Sequence, residues 1–186
     1  MYTKNIYFAG GSFYELQELF SRVKGVTATK TGYINSLAAY PCHKDILKGK
    51  TGAAMGIEAE YDPKKIDLST LLDILCTVID PYIKNGQKNM QRSGVYYSEG
   101  EDEAVVQLYM NFIKSRHRSL PITPFSAVKS FDSMLTATRR CYMEALPLVN
   151  FYPAEEMHQY YLRKNPSTKT FIDFMRLREL EIITSV

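Results

Sequence analysis

Along this chain the apolar positions switch between a period of two and a period near 3.6, and the switches mark out strands and helices. A short apolar run from Lys4 to Ala9 reads as a strand, broken by Gly10-Gly11. After it, Phe13, Leu16, Leu19, Phe20 and Val23 fall at helical spacing, and Gly25 closes that helix. Val26 to Ile34 is rich in β-branched and aromatic residues and predicts a second strand. Asn35 to about Lys50, with Pro41 and Gly49, reads as a loop. Ala53 to Tyr61 predicts a third strand, stopped by Asp62-Pro63.

Leu68, Leu71, Leu72, Leu75, Cys76 and Ile79 share one helix face, and Asp80-Pro81 ends the helix. Residues 82–91 are polar and read as a loop, and Ser93 to Tyr97 as the next strand. The order β-α-β-β-α-β predicts an α+β fold with a ferredoxin-like split βαβ core. A longer helix follows from about Glu101 to Arg118, with Val105, Val106, Tyr109, Met110 and Ile113 as its stripe. Pro121 and Pro124 open an irregular stretch, and residues 141–149 are a candidate strand. Pro153 to Lys164 is expected as a short helix with the proline near its first position, and Phe171 to Ile182 as an amphipathic C-terminal helix. The expected organisation is a domain over residues 1–166, with a helical extension over 167–186 packed on it.

Composition narrows the function classes. With 186 residues the chain buries a core without needing disulfides or metals, and its 45% hydrophobic and 23% charged residues are those of a globular protein. A net charge of +3, with no Lys/Arg-rich run, gives no basis for nucleic-acid binding. No apolar stretch approaches the roughly 20 residues of a membrane span, and no signal peptide is legible, so a cytoplasmic protein is expected. The three cysteines, Cys42, Cys76 and Cys141, form neither a disulfide framework nor a zinc pattern, and no metal is expected.

The candidate chemistry starts where the first helix begins, in Phe8-Ala9-Gly10-Gly11-Ser12-Phe13-Tyr14-Glu15. Three further patches follow in order. The second runs from Gly25-Val26 through Gly32-Tyr33, Gly49-Lys50-Thr51-Gly52 and Glu60-Tyr61-Asp62-Pro63. The third is Asp80-Pro81 through Arg92-Ser93. The last is Asn150-Phe151-Tyr152-Pro153-Ala154-Glu155-Glu156-Met157-His158-Gln159, ending in Lys164-Asn165-Pro166. Together they resemble the A-type methionine sulfoxide reductases over about residues 5–166. The resemblance implies reduction of methionine sulfoxide, free or in a peptide. A cysteine thiolate at a helix N-terminus attacks the sulfur, a carboxylic acid supplies the proton, and thioredoxin or a dithiol is the reductant, with no prosthetic cofactor.

This chain departs from that pattern at the atoms that carry the reaction. The family's Gly-Cys-Phe-Trp reads Gly11-Ser12-Phe13-Tyr14, which places Ser12 at the nucleophile. Its Thr-Gly-His-Ala-Glu reads Thr51-Gly52-Ala53-Ala54-Met55, which places Met55 at the proton donor. The pocket aspartate and tyrosine of the 82–91 region have no match, and the tail after Pro166 has no resolving cysteine. The remaining candidate pocket residues are Phe13, Tyr14, Tyr152, Glu155 and His158, with His43 or Tyr40 standing where the family has a pocket tyrosine.

The residues themselves offer plainer readings. Ser12-x-x-Glu15 fits a helix capping box, Met55 fits core packing, and Cys42 fits an ordinary loop thiol, though beside His43 it is also a candidate relocated nucleophile. Cys76, on the apolar face of its helix, is expected in the core. The joint losses imply a reductase relative that is inactive or strongly impaired as written, with a thioredoxin partnership in doubt. Two alternatives stay open. One is an active reductase seen as a cysteine-to-serine variant; the other is a binding or scaffold protein on the same fold.

Overall fold

The computed structural model describes residues 2–84, 89–116 and 140–184. Strand β1 (Lys4–Ala9) leads into helix α1 (Phe13–Phe20). Strands β2 (Val26–Ile34) and β3 (Ala54–Tyr61) flank a short helix α2 (His43–Leu47). Helix α3 (Leu68–Val78), strand β4 (Gly94–Tyr97) and helix α4 (Gly100–Arg116) follow. Beyond residue 140 come β5 (Glu144–Pro147), β6 (Phe151–Pro153), a 3-10 turn (Glu156–His158), α5 (Tyr161–Lys164) and α6 (Phe174–Glu179). The six strands form one sheet in the order β5-β4-β1-β3-β2-β6. Pairing is antiparallel except between β4 and β5, so the fold is α+β with a mixed sheet.

The apolar period seen in the sequence becomes a core against one face of the sheet. Ile6 and Phe8 of β1, Tyr33 of β2, and Met55, Ile57 and Ala59 of β3 meet Phe13, Leu16, Leu19 and Phe20 of α1 and the Leu71, Leu72, Leu75 stripe of α3. The opposite face carries a smaller cluster of Tyr7, Ala9, Ile34, Ala54 and Tyr96, covered by Leu148 and Phe151. Asp67 caps α3 by accepting from the Thr70 amide at 2.7 Å. Lys4 of β1 reaches Asp102 and Glu99 at 2.6 and 3.0 Å, tying the first strand to the start of α4, where acidic side chains suit the helix dipole.

Several expectations need correction. The loop over 35–50 contains α2, a five-residue helix with too few apolar positions to show a period. The helix expected over 153–164 does not form as such. Phe151–Pro153 is a strand on the free edge of β2, followed by the 3-10 turn and only four residues of α-helix. Pro153 ends an edge strand, where a missing N–H is tolerated, and does not start a helix. The C-terminal helix is shorter than expected, Phe174–Glu179, with Asp173 accepting from the Arg176 amide. Cys76 is half-buried against the core. The expectations for 121–139 and for residues 85–88 of the 82–91 loop lie outside the described residues.

Gly32 shows how tightly β6 sits on β2. A Cβ there would lie 2.4 Å from the Phe151 ring and 2.6 Å from the Tyr152 carbonyl. Gly32→Ala is expected to cost about 3 kcal/mol through this overpacking. Gly49→Ala, with open space around it but φ of +70°, should cost only about 1 kcal/mol. Denaturant melts of the two variants check this; equal costs would mean that β6 yields freely.

Candidate functional site

Two glycines bring the chain from β1 into α1. Gly10 and Gly11 have φ of +150° and +58°, and the Gly11 amide donates to the Gln91 carbonyl. Ser12 follows in an extended conformation, and its carbonyl accepts the Glu15 and Leu16 amides that open the helix. The capping box expected from Ser12 and Glu15 is not formed. The Ser12 side chain makes no cap hydrogen bond. The Glu15 carboxylate instead accepts the Phe171 amide at 2.7 Å, and the Ile172 amide as well. Burial pushes the Glu15 carboxyl above its ordinary value, while those two tail amides pull the other way.

Next to Ser12, Phe13 is wholly buried and centres an aromatic cluster. Its ring lies 6.0 Å from His43 at 15°, 6.2 Å from His158 and 4.6 Å from Tyr14. The imidazoles of His43 and His158 are themselves 4.3 Å apart. Tyr14 places its hydroxyl 2.6 Å from His158 Nδ1 and stacks on Tyr161 at 4.3 Å. Beneath these rings, the Glu155 carboxylate accepts the Tyr33 hydroxyl at 2.7 Å and the His43 amide at 2.8 Å. Tyr33 also approaches His43 Nδ1 at 3.4 Å.

The last patch of the sequence is held to β2 by Gln159. Its side chain accepts from the Thr31 amide and donates to the Thr31 and Ala154 carbonyls, at 2.9 to 3.0 Å. Gln17 of α1 reaches the same side chain at 3.2 Å. Glu155 and His158 are thereby placed against both β2 and α1.

The electrostatics follow from these contacts. Burial opposes the charge on Glu155, yet the His43 amide and the Tyr33 hydroxyl outweigh it and hold the carboxyl below its ordinary range. Burial, and then the neighbouring His158, lower His43 from its ordinary 6.5. Burial pushes the Tyr14 phenol up to about 12, and burial with the Glu155 contact raises Tyr33 further.

The other candidates sit apart from this cluster or beneath it. Met55 is buried in the core, opposite Tyr33 in the β2–β3 register. Tyr152 is opposite Tyr33 on the other side, in the β2–β6 register, and half-buried. Tyr40 is 87% exposed and meets the Tyr152 ring edge-on at 5.4 Å. Cys42 is exposed at the start of α2, where its thiol donates to Asp45 at 3.0 Å. No group of three or more His, Cys, Asp or Glu among the described residues could hold a metal ion, and no described helix is long and apolar enough to cross a membrane. A cavity of about 510 Å³ opens on the flank of α1 away from the histidines, between Gly10-Gly11-Ser12, the end of α3 and the tail. A smaller one of about 280 Å³ lies between α2 and the start of β3.

Comparison with known proteins gives the family. Residues 4–182 match the sequence profile described as peptide methionine sulfoxide reductase. The chain belongs to the peptide methionine sulfoxide reductase family. It is 35% identical over 176 residues to "Peptide methionine sulfoxide reductase MsrA" of Mycoplasma genitalium, covering 92% of this chain and 99% of that protein. The protein of the same description from Clostridium acetobutylicum is 35% identical over 168 residues, covering 88% and 91%. Among solved structures, methionine sulfoxide reductase A of Corynebacterium diphtheriae superposes with a TM-score of 0.74 at 23% identity, covering 98% of this chain and 84% of that one, a likeness of fold.

Sequence reasoning singled out Phe13, Tyr14, His43, Glu155 and His158, and the structure brings all five together. It missed Tyr33 and Tyr161 as members of the cluster. Tyr33 was visible in the Gly32-Tyr33 step of the family pattern but reads as an ordinary strand aromatic. Tyr161 carries no signal beyond helical spacing.

The lowered His43 gives stability a defined pH dependence. Above about pH 6.5 the imidazole is neutral in folded and unfolded chains alike. As the pH falls through that value the unfolded chain takes up a proton that the folded chain resists, so stability drops until the lower folded value is reached. Urea melts at pH 7.5 and 5.5 should therefore show a larger acid loss for the native chain than for His43→Asn. Parallel losses would show that His43 does not couple to folding.

Proposed function

We propose that this chain keeps a site for a methionine-sulfoxide-type ligand but has lost, wholly or nearly, the ability to reduce it. What carries this reading is the pair Ser12 and Met55, at the positions the family resemblance gives to the nucleophile and the proton donor. Reduction requires a thiolate that takes the sulfoxide oxygen as a sulfenic acid and returns to thiol through a disulfide; a hydroxyl has no such cycle. Met55 has no proton to give.

Four neighbouring groups are poor replacements for the missing donor at neutral pH. Glu155 is held ionised, His43 is held neutral, and the phenols of Tyr14 and Tyr33 retain their protons more firmly than an ordinary tyrosine. With no disulfide at position 12 to recycle, a thioredoxin-type reductant has no substrate on this chain. The chain is then a cytoplasmic pseudoenzyme related to oxidative-stress repair, with its domain over 1–166 and the 167–186 extension packed on it.

A second reading has its own observation. Cys42 is an exposed thiol directly before His43, and an active reductase working through it would show activity that Cys42→Ala abolishes. On the reading favoured above, the purified chain does not turn over a methionine-(S)-sulfoxide substrate with dithiothreitol or thioredoxin. Stereospecific reduction would overturn it. Ser12→Cys should restore only weak reduction, and adding Met55→Glu should raise it by about 10²-fold or more, the usual worth of a positioned acid. Robust activity in Ser12→Cys alone would instead mark the chain as a reductase lacking a single atom.

A further inference from the structure

The connection from β2 to β3 exposes more apolar surface and more positive charge than its own contacts use. Its frame is fixed. The Asn150 side chain accepts the Ser36 amide at 2.8 Å and donates to the Ser36 carbonyl at 3.0 Å, and the Leu37 amide donates to the Thr51 carbonyl at 2.8 Å. Leu37 is 88% exposed, and its side chain lies over Gly52, where a Cβ would meet it at 3.1 Å. Gly52 in turn borders the cavity of about 280 Å³ between α2 and β3. Ile46, Leu47, Ala53 and Met90 give this cavity its apolar lining, and Lys48 and Thr51 add polar atoms. The volume falls below the roughly 300–1,000 Å³ of small-molecule sites and suits one apolar side chain.

Lys44, Lys48 and Lys50 stand exposed around it, and none of them forms an ion pair with a described residue. The acids of the adjoining segments are already engaged. Asp45 accepts the Cys42 thiol at 3.0 Å, Glu155 accepts the His43 amide and the Tyr33 hydroxyl, and Glu156 pairs with Lys164 at 3.1 Å. The Cys42 thiol and amide, and then Lys48 and Lys50 through space, hold the Asp45 carboxyl below its ordinary value. The surface therefore presents three unmatched cations beside an apolar hollow.

His43 and Leu47 are four residues apart on α2, so they share a face and stand about 6 Å apart along its axis. In an extended peptide, residues two apart also share a face, at about 6.6 Å. A peptide side chain held at the His43 cluster therefore sets the side chain two residues away over Leu47 and the cavity. The intervening residues point off this face, where the flexible four-carbon stems of the lysines follow them.

We propose that this surface docks the flank of an acidic peptide. The methionine-sulfoxide side chain lies at the His43 cluster, an apolar side chain two residues away fills the cavity beside Leu47, and the carboxylates between and beyond them pair with Lys44, Lys48 and Lys50. The inference rests on the ligand class proposed above and names the kind of chain that carries it.

The test is fluorescence anisotropy of the full chain with a labelled, end-blocked peptide, Asp-Leu-Asp-Met-Asp-Leu-Asp, its methionine as the (S)-sulfoxide. Its symmetry serves either chain direction. It should bind about tenfold or more tightly than the counterpart with lysine for aspartate, a margin that shrinks at high salt. The triple variant Lys44→Ala, Lys48→Ala, Lys50→Ala should lose that preference with Tm unchanged, because the three side chains are exposed and make no ion pair. Serine in place of both peptide leucines should weaken binding by about tenfold. Norleucine in place of the sulfoxide should weaken it as well. Equal binding of the acidic and lysine peptides, or an undiminished preference in the triple variant, overturns this inference alone as long as norleucine still weakens binding. No effect of norleucine, or no binding by any peptide, overturns the retained ligand and this inference with it.

Discussion

The carboxylate of Glu155 is the contact on which the histidine side of the site depends. It comes from the turn after β6, yet it binds the hydroxyl of Tyr33 on β2 and the first amide of α2. One charged group thus joins three segments that are far apart in sequence, and its contact with Tyr33 satisfies a hydroxyl that burial would otherwise strand. α2 is too short to hold itself together, since five residues cannot offset the cost of nucleating a helix. Its place, and with it the place of His43, is set by Glu155 together with Ile46, which is fully buried in the core. The Gln159 bonds to Thr31 keep the turn in register with β2, so the position of the carboxylate is over-determined.

A second carboxylate organises the other flank. Glu15 lies one turn into α1, where the sequence pattern offers it the Ser12 backbone as a partner. It takes the tail amides in preference because its side chain is buried, and a buried carboxylate needs donors that water no longer supplies. The Ser12 hydroxyl is left with no cap bond, and the tail is left with a fixed course. The ends of the chain are therefore coupled through the same helix whose N-terminus carries Ser12.

How much of this the sequence revealed depends on the kind of signal involved. Strands β1 to β4 and helices α1, α3 and α4 rest on apolar period and on Gly and Pro stops, and both survive folding with boundary shifts of a few residues. β6 was hidden because Phe151-Tyr152-Pro153 is too short for a period, and its proline resembles a helix start as much as an edge-strand end. α2 was hidden among turn residues. Within the site, the aromatic and histidine positions were legible as motif residues, but their contacts were not. That Tyr33 would join His43 and Glu155 follows from the β2–β6 pairing, and that Glu15 would leave Ser12 follows from the tail's path. Both are long-range facts that no local pattern encodes.

Met55 can be understood from the same geometry. It sits opposite Tyr33, whose hydroxyl is committed to Glu155. A carboxyl group at position 55 would bring a second acid close to the first, and one of the two would be driven to hold its proton, as a proton donor must. With a thioether there, Glu155 is the sole carboxylate of the described cluster and stays ionised, and His43 beside it is kept neutral by burial and by His158. A thioether at position 55 therefore leaves Glu155 without the like-charge pressure that would push its carboxyl up, which agrees with a carboxyl held below its ordinary range by the Tyr33 hydroxyl and the His43 amide.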